Sequence, residues 1–281
     1  MKLIEYTDID EYLSQVQEYL MKNEARSNLA LGIALQIKKD PLRYPQHFLA
    51  AVFDLNDQPI LVALMTMPYP LIVQGEHPDP KAIDLLIDYL LQHHFSLSGV
   101  NGPHEFSDLF SHQYTLKTGV HSELVISLRN YELKEVLSPP LPKGKFRLAL
   151  ANDEDIIQDF LLAFHAEAVR EGAPPLSKSL VQKQLQQGSI FAWEVDNEIV
   201  SIALKSRPCI KTITVGGVYT PPAKRNKGYA SVCVASLCQL LLDQGYERIV
   251  LFTDLSNPTS NAIYQNIGFE PVCDYHQYAF K

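Results

Sequence analysis

The segment from Val215 to Ala230 constrains the fold of this chain more than any other segment. It begins as an apolar strand, passes through the basic turn Arg225–Ala230 and continues as a helical pattern that ends near Gly245. The first backbone N–H groups of a helix have no partner inside it, so they face one point together with the positive end of the helix dipole. Hydrogen bonds to a charged oxygen are worth roughly 1.5–3 kcal/mol each, more than the dipole contributes. The segment therefore predicts a diphosphate-binding turn.

The residue types in this turn suit that role. Gly228 has no Cβ, so the backbone can approach a ligand closely, and Asn226 is among the few other residues that tolerate a positive φ. Arg225 and Lys227 add positive charge. The alternative interpretation is an ordinary solvated turn between a strand and a helix.

Length, charge and cysteine content exclude several classes of protein. A chain of 281 residues with 46% hydrophobic residues is long enough for two domains. A net charge of −8 argues against nonspecific nucleic-acid binding. The sequence has neither a run of about 18 apolar residues nor a basic-then-apolar leader, so we expect a cytoplasmic protein with no membrane association. The four cysteines have no CxxC or Cys/His metal spacing, so we expect no metal site.

The proline-rich segment Ser138–Gly144 is the best candidate for a linker. We therefore expect an N-terminal domain at 1–137, a linker at 138–145 and a second domain at 146–281. The order of predicted elements begins again after the linker, and the strands 62–68 and 202–208 share Ala-Leu and a closing proline. These observations indicate an internal duplication.

The two halves differ at the predicted turn. In the first half the corresponding connection is Gly75–Pro80, which carries acidic residues and two prolines and should not bind an anion. In the second half the pattern predicts helices at 153–170, 177–187 and 258–266. It also predicts separate short strands at 271–273 and 276–280.

Two motifs in the second half resemble a known family. Arg225-Asn-Lys-Gly-Tyr-Ala230 fits the pattern Arg/Gln-x-x-Gly-x-Gly/Ala at the start of a helix, and Asn257 to Tyr264 is followed by Asn266-Ile-Gly-Phe269. In this order the motifs resemble those of the GCN5-related N-acetyltransferase (GNAT) family, over residues 146 to 281. The resemblance implies tandem GNAT-like α/β folds, each a mixed, mostly antiparallel twisted sheet flanked by helices. The first copy would be degenerate, without the cofactor motif.

The resemblance also implies acetyl-CoA as the donor, with no metal. Backbone groups of the central strand would align with the pantetheine arm and the thioester, the turn would hold the pyrophosphate, and the second motif would line the arm. The residues implied are Val218, Tyr219, Thr220, Arg225, Asn226, Lys227, Gly228, Tyr229, Ala230, Asn257, Ser260 and Tyr264.

Tyr264 would also serve as the acid that protonates the departing thiolate, because a tyrosine with a pKa of about 10 can supply that proton. The alternative for Tyr264 is an aromatic ring that packs on its helix, and the alternative for Asn257 is a simple helix N-cap.

The proton acceptor departs from the family pattern. Many members carry a glutamate on the central strand, but the segment 210–220 contains no carboxylate. The helix at the expected acceptor entrance offers His165, Glu167 and Glu171. We choose Glu167 to orient a cationic acceptor, with a solvated helix face as the alternative.

These observations predict an N-acetyltransferase that moves an acetyl group from acetyl-CoA directly to a primary amine. The acceptor would be a small-molecule amine or a protein amine, and the protein a monomer or homodimer. A non-catalytic sensor that binds acyl-CoA is the rival hypothesis, because the strand carboxylate is missing.

Overall fold

A computed structural model of the chain describes residues 1–168 and 177–281. The chain divides into two compact units. The first unit consists of Met1–Asn130, Thr253–Ser256 and Pro271–Lys281, and the second of Tyr131–Phe252 and Asn257–Glu270. The end of the chain therefore belongs to the first unit. The predicted domains at 1–137 and 146–281, with their linker at 138–145, stay a prediction.

Strands and helices follow one order twice in the described residues. The first series is β1 (Lys2–Tyr6), α1 (Ile9–Met21), α2 (Glu24–Lys39), β2 (His47–Phe53), β3 (Pro59–Thr66), β4 (Leu71–Gln74), α3 (Pro80–Gln92), β5 (Gly99–Pro103), α4 (His104–Thr118) and β6 (Ser122–Leu133). The second is β7 (Lys145–Leu148), α5 (Glu154–Ala168), α6 (Lys178–Gln186), β8 (Ile190–Val195), β9 (Glu198–Ser206), β10 (Thr212–Tyr219), α7 (Tyr229–Asp243), β11 (Arg248–Asp254), α8 (Pro258–Ile267) and β12 (Glu270–Phe280). This repeated order is the one that the duplication hypothesis requires; the duplication itself stays a prediction.

In the first unit the strands follow the order β1-β2-β3-β4-β5-β12-β6. Strands β4 and β5 are parallel, whereas β1–β2, β2–β3, β3–β4 and β5–β12 are antiparallel pairs. Helices α3 and α4 cover the sheet with buried apolar side chains, among them Leu86, Leu90, Phe106 and Phe110. Burial of each such side chain stabilises the fold by roughly 1.5–3 kcal/mol.

In the second unit the order is β11-β10-β9-β8-β7, and β10–β11 is a parallel pair in an otherwise antiparallel sheet. Helix α7 is the central helix of its core, with Val232, Cys233, Leu237, Cys238 and Leu241 all buried. Both units are thus mixed, mostly antiparallel sheets flanked by helices, and the predicted fold class is confirmed. Of the helices in the described ranges, none combines the length and the apolar character needed to cross a membrane.

One element of the described residues differs from the sequence prediction. The C-terminal residues form one strand, Glu270–Phe280, and not two. The charged residue that interrupts the apolar pattern, Asp274, is held by Arg129, whose Nε and Nη2 donate to the carboxylate at 2.7 and 3.0 Å. This ion pair lets a strand continue where its sequence suggests a break. The predicted end of the helix 153–170 lies outside the described residues.

The connection between β4 and α3 in the first unit is filled by the unit's own side chains. The carboxylate of Asp79 accepts from the N–H groups of Lys81 and Ala82 at 2.8 and 3.3 Å, which caps α3. A Cβ on Gly75 would lie 2.6 Å from the Phe106 ring. The Tyr19 hydroxyl accepts from the Glu76 N–H at 2.8 Å.

Candidate functional site

Strand β10 separates from β11 halfway along its length. The parallel pairing covers Thr212 with Arg248, Ile213 with Ile249 and Thr214 with Val250, and the register in the described chain stops there. The backbone of β10 after Thr214 is therefore not paired with β11. On its other side the pairing with β9 shifts register between Gly216 and Tyr219, a β-bulge that bends the strand.

The turn between β10 and α7 ends at a glycine, so the N-cap residue of α7 has no side chain that could accept from the first N–H groups of the helix. Gly228 is the N-cap, with φ 76°, and Asn226 has φ 63°. Both conformations are left-handed, which is why glycine and asparagine stand there. A Cβ added to Gly228 would meet no heavy atom within 4 Å, so the space at this helix end is open. Because the first N–H groups of an α-helix lack intrahelical partners, this end of α7 can bind an anion.

The guanidinium of Arg225 is engaged with groups of its own unit. Its Nη2 donates to both carboxylate oxygens of Glu167, at 2.9 and 2.7 Å, and its Nε donates to the carbonyl of Thr220 at 2.9 Å. Its Cζ lies 5.8 Å from the centre of the Tyr219 ring. Neighbouring Lys227 is exposed. The sequence prediction treated Arg225 and Lys227 alike, but the two side chains have different surroundings.

Glu167 lies in the last turn of α5, and its carboxylate forms an ion pair with Arg225. Its carboxylate also accepts a long hydrogen bond, 3.4 Å, from the hydroxyl of Tyr219. Its predicted role towards a cationic acceptor stays a prediction, and the carboxylate already has a cationic partner. His165 lies half-buried in the same helix, and the other candidate, Glu171, lies outside the described residues.

The side chain of Tyr219 is a feature that sequence reasoning missed, since only its backbone was predicted to contribute. The residue is buried, and its ring meets Phe160 edge-on at 5.5 Å between centroids. Burial, and then the charge of Glu167, raise the pKa of the Tyr219 hydroxyl. The guanidinium of Arg225 lies over the face of this ring, in a cation–π contact. The sequence signal that could have identified this side chain is the position of a tyrosine at the end of the strand that leads into the turn.

Backbone and side chains at the end of β10 are fixed by one buried serine. Ser201 donates to the carbonyl of Tyr219 at 3.2 Å and accepts from the hydroxyl of Thr220 at 2.9 Å. The neighbouring Val218 is half-buried against the core that contains α7. Ser201 thus ties the end of β10 to β9. It was also missed, because nothing in the sequence distinguishes it from other strand serines.

The second motif forms the start of α8. The Oδ1 of Asn257 accepts from the Ser260 N–H at 3.0 Å, and Pro258 occupies the first turn. The N-cap interpretation of Asn257 is confirmed; its predicted contact with a cofactor stays a prediction. Ser260, on the same first turn, is half-buried.

Tyr264 lies four residues after Ser260, about one turn further along the helix, and is 9% exposed. Its ring packs edge-on against Phe269 at 5.9 Å between centroids. Burial, with a smaller contribution from Cys238, raises the pKa of its hydroxyl well above the ordinary value. The buried hydroxyl therefore keeps its proton to higher pH than an exposed tyrosine does, and its predicted role as the acid stays a prediction.

No other feature of the described ranges competes with this site. They contain no group of three or more histidine, cysteine, aspartate or glutamate side chains that could hold a metal ion. An open groove of about 990 Å³ lies in the first unit and is lined by Asp54, Asp84 and Asp88 among others. It includes none of the predicted site residues, and its acidic lining does not suit a phosphate ligand.

The comparisons with known proteins agree with this geometry. Residues 154–269 match the family model described as Acetyltransferase (GNAT) family. This segment contains both motifs, as the resemblance predicted, and the match supports an N-acyltransferase function for residues 154–269. No curated protein matches the chain.

Solved structures show the same fold over the full chain. A Drosophila protein is similar with a TM-score of 0.70 at 12% identity, covering 99% of this chain and 98% of its own. A GNAT-family acetyltransferase from Colwellia psychrerythraea has a TM-score of 0.59 at 13% identity and covers 100% of both chains. A tandem GNAT protein from the clavulanic acid biosynthesis pathway has a TM-score of 0.58 at 12% identity, with 99% of this chain and 98% of its own covered. At these identities the likeness shows the fold alone.

Proposed function

We propose that the second unit transfers an acetyl group from acetyl-CoA directly to a primary amine. The observation that carries the proposal is the open start of α7 beside a strand, β10, that leaves its parallel partner after Thr214. Coenzyme A combines a diphosphate with an amide-containing arm. The uncapped helix end suits the diphosphate, and the unpaired backbone of β10 suits the amides of the arm.

The donor would be held mainly by backbone groups. The turn Arg225–Ala230, which includes Lys227 and Tyr229, would bind the pyrophosphate, and the segment Val218–Thr220 would align with the arm and the thioester carbonyl. Asn257 and Ser260 would line the arm from the start of α8. The left-handed conformations of Asn226 and Gly228 support the cradle, because successive backbone N–H groups in such turns can form an anion-binding concavity.

Direct transfer needs stabilisation of the charge on the thioester oxygen, a proton for the leaving sulfur and an acceptor for the amine proton, and these residues would meet the first two needs. The amine nitrogen forms a bond to the thioester carbon while the carbon–sulfur bond breaks, and charge develops on the carbonyl oxygen. Backbone groups of Val218–Thr220 would stabilise that charge. Tyr264 would give its proton to the leaving sulfur, a contribution of roughly 10²–10⁴ in rate when such an acid is well positioned.

The proton that the amine loses needs another acceptor. Strand β10 carries no carboxylate, and Glu167, which contacts Tyr219 at the end of this strand, is paired with Arg225. The proposal therefore assigns this proton to solvent water. The acceptor would be a small-molecule amine or a protein amine.

The missing strand carboxylate favours a second candidate, a non-catalytic sensor that binds acyl-CoA. Calorimetry of CoA binding, combined with measurement of free thiol from acetyl-CoA, separates the two. The amine panel should contain small polyamines, amino sugars, aryl-alkyl amines and peptides with a free N-terminus or lysine. Binding with thiol release supports the transferase, and binding without release across the panel supports the sensor. Absence of CoA binding would contradict both.

A further inference from the structure

Arg225 forms an ion pair that links the turn to helix α5, an interaction that the motif pattern itself does not specify. The carboxylate of Glu167, 58 residues earlier in the chain, accepts two contacts from Nη2 of Arg225. The guanidinium is held from two further sides, by the carbonyl of Thr220 and by the ring of Tyr219. Its position is therefore set by several groups and not by one exposed ion pair.

A carboxylate at this point conflicts with the ligand that the turn is proposed to bind. A diphosphate is negatively charged, and Glu167 stands within hydrogen-bonding distance of the residue that begins the turn. Like charges this close repel each other unless a cation lies between them. Arg225 supplies that cation, and its planar head has five N–H donors, more than Glu167 and Thr220 use.

We propose that Glu167 and Arg225 act as one charge-compensated pair of the donor site, in which Arg225 cancels the repulsion between Glu167 and a bound diphosphate. Glu167 is then a positioning residue of the donor turn and not a ligand of the acceptor amine. The pair also ties the last turn of α5 to the turn before α7. This inference rests on the proposed function, because it concerns the same donor.

The chain contains a matched control on the same turn. Lys224 precedes Arg225 and pairs with Glu198 of β9 at 2.5 Å between Nζ and Oε2. This second pair has the same charges. Among the contacts of the described residues, however, Lys224 has neither an aromatic ring beneath it nor a backbone carbonyl as acceptor. Removing its charges therefore tests what a nearby surface ion pair contributes by itself.

The test is a double-mutant cycle read as the dissociation constant of CoA by calorimetry. Arg225→Gln is expected to weaken CoA binding about tenfold, because it exposes the diphosphate to an unpaired Glu167. Glu167→Gln alone is expected to change affinity by less than about twofold, since Arg225 already cancels that charge. The double variant is expected to recover most of the loss and to lie within about threefold of wild type.

The control cycle uses Lys224→Gln, Glu198→Gln and their combination, whose effects are expected to be small and additive within about twofold. The inference is overturned if Glu167→Gln does not restore affinity in the Arg225→Gln protein, which would make Arg225 a direct phosphate ligand. It is equally overturned if Glu167→Gln changes affinity by the same factor in both backgrounds. Wild-type protein that binds no CoA would overturn the proposed function itself, so the two failures are distinguishable.

Discussion

Two helices of this protein begin after a strand that pairs in parallel with the next strand, and they begin differently. In the first unit β4 pairs with β5 through Leu71 and Ile72, and α3 starts at a proline with Asp79 as its cap. In the second unit β10 pairs with β11 through Thr212 to Thr214, and α7 starts at Gly228, which has no side chain. The strands are arranged alike; the helix ends are not.

The difference shows how a few residues decide whether the start of a helix is occupied by side chains of the protein or left open. At α3 a carboxylate already satisfies two N–H groups, and in the preceding connection Tyr19 accepts from Glu76 while the Phe106 ring lies against Gly75. At α7 the cap position offers open space. An anion at the start of α3 would have to displace the Asp79 carboxylate. At the start of α7 the cap residue is Gly228, which has no side chain to displace. This comparison predicts one donor site per chain.

The largest expected effect is that of a side chain at the open helix end. Gly228→Leu should abolish CoA binding, by at least about a hundredfold, because the side chain enters the space in which N–H groups converge. Gly245→Leu is the matched control, since Gly245 follows the same helix, has φ 99° and also has no atom within 4 Å of an added Cβ. Both variants should lose roughly 1–3 kcal/mol of stability through the positive φ.

Calorimetry and thermal unfolding of both variants check this prediction. If Gly245→Leu lost CoA affinity as severely as Gly228→Leu, general destabilisation would explain both losses. The claim that the start of α7 binds the diphosphate would then be wrong.

The next effect concerns Tyr264. Tyr264→Phe should lower kcat about a hundredfold or more and leave CoA affinity nearly unchanged, because it removes only the proton for the leaving sulfur. Tyr246→Phe serves as a control, since that tyrosine packs at the edge of the same core.

The pH dependence has a defined sign. Because burial raises the pKa of Tyr264, its proton remains in place as the pH rises, and the rate should not fall through its ionisation between pH 7 and about pH 10. A rate that declines over this range in wild type but not in Tyr264→Phe would show a tyrosine that ionises earlier than its burial implies.

The smallest effect belongs to the first unit. Asp79→Ala should cost about 1 kcal/mol of stability through the lost cap and should leave CoA affinity unchanged. Asp79→Asn should retain most of that stability, since asparagine also caps helices. Denaturant unfolding of both variants measures the cap. A gain of a second CoA site in Asp79→Ala would show that the carboxylate alone closes the first unit to anions.

The sequence predicted the parts of the site that depend on local chemistry. Glycine and asparagine at 228 and 226 indicate left-handed backbone, and Asn257 before a proline indicates a helix cap; both are observed. The fold class followed from the family resemblance of the motifs at 225–230 and 257–269.

The remaining parts depend on residues distant in the chain. The partner of Arg225 is 58 positions away, and Ser201 holds a strand end 18 positions on. Neither distance leaves a periodic signal. The continuous last strand also required a tertiary contact, the ion pair of Asp274 with Arg129. Composition and spacing describe what a residue can do locally, whereas these roles are set by which elements the fold brings together.

The number of CoA molecules bound per chain tests the account most directly. Isothermal titration of the wild-type protein with CoA should give one site per chain, and the same titration of Gly228→Leu should give none. Two sites per chain would contradict the distinction between the α3 and α7 helix ends, and a wild-type protein that gives no binding would contradict the donor site altogether.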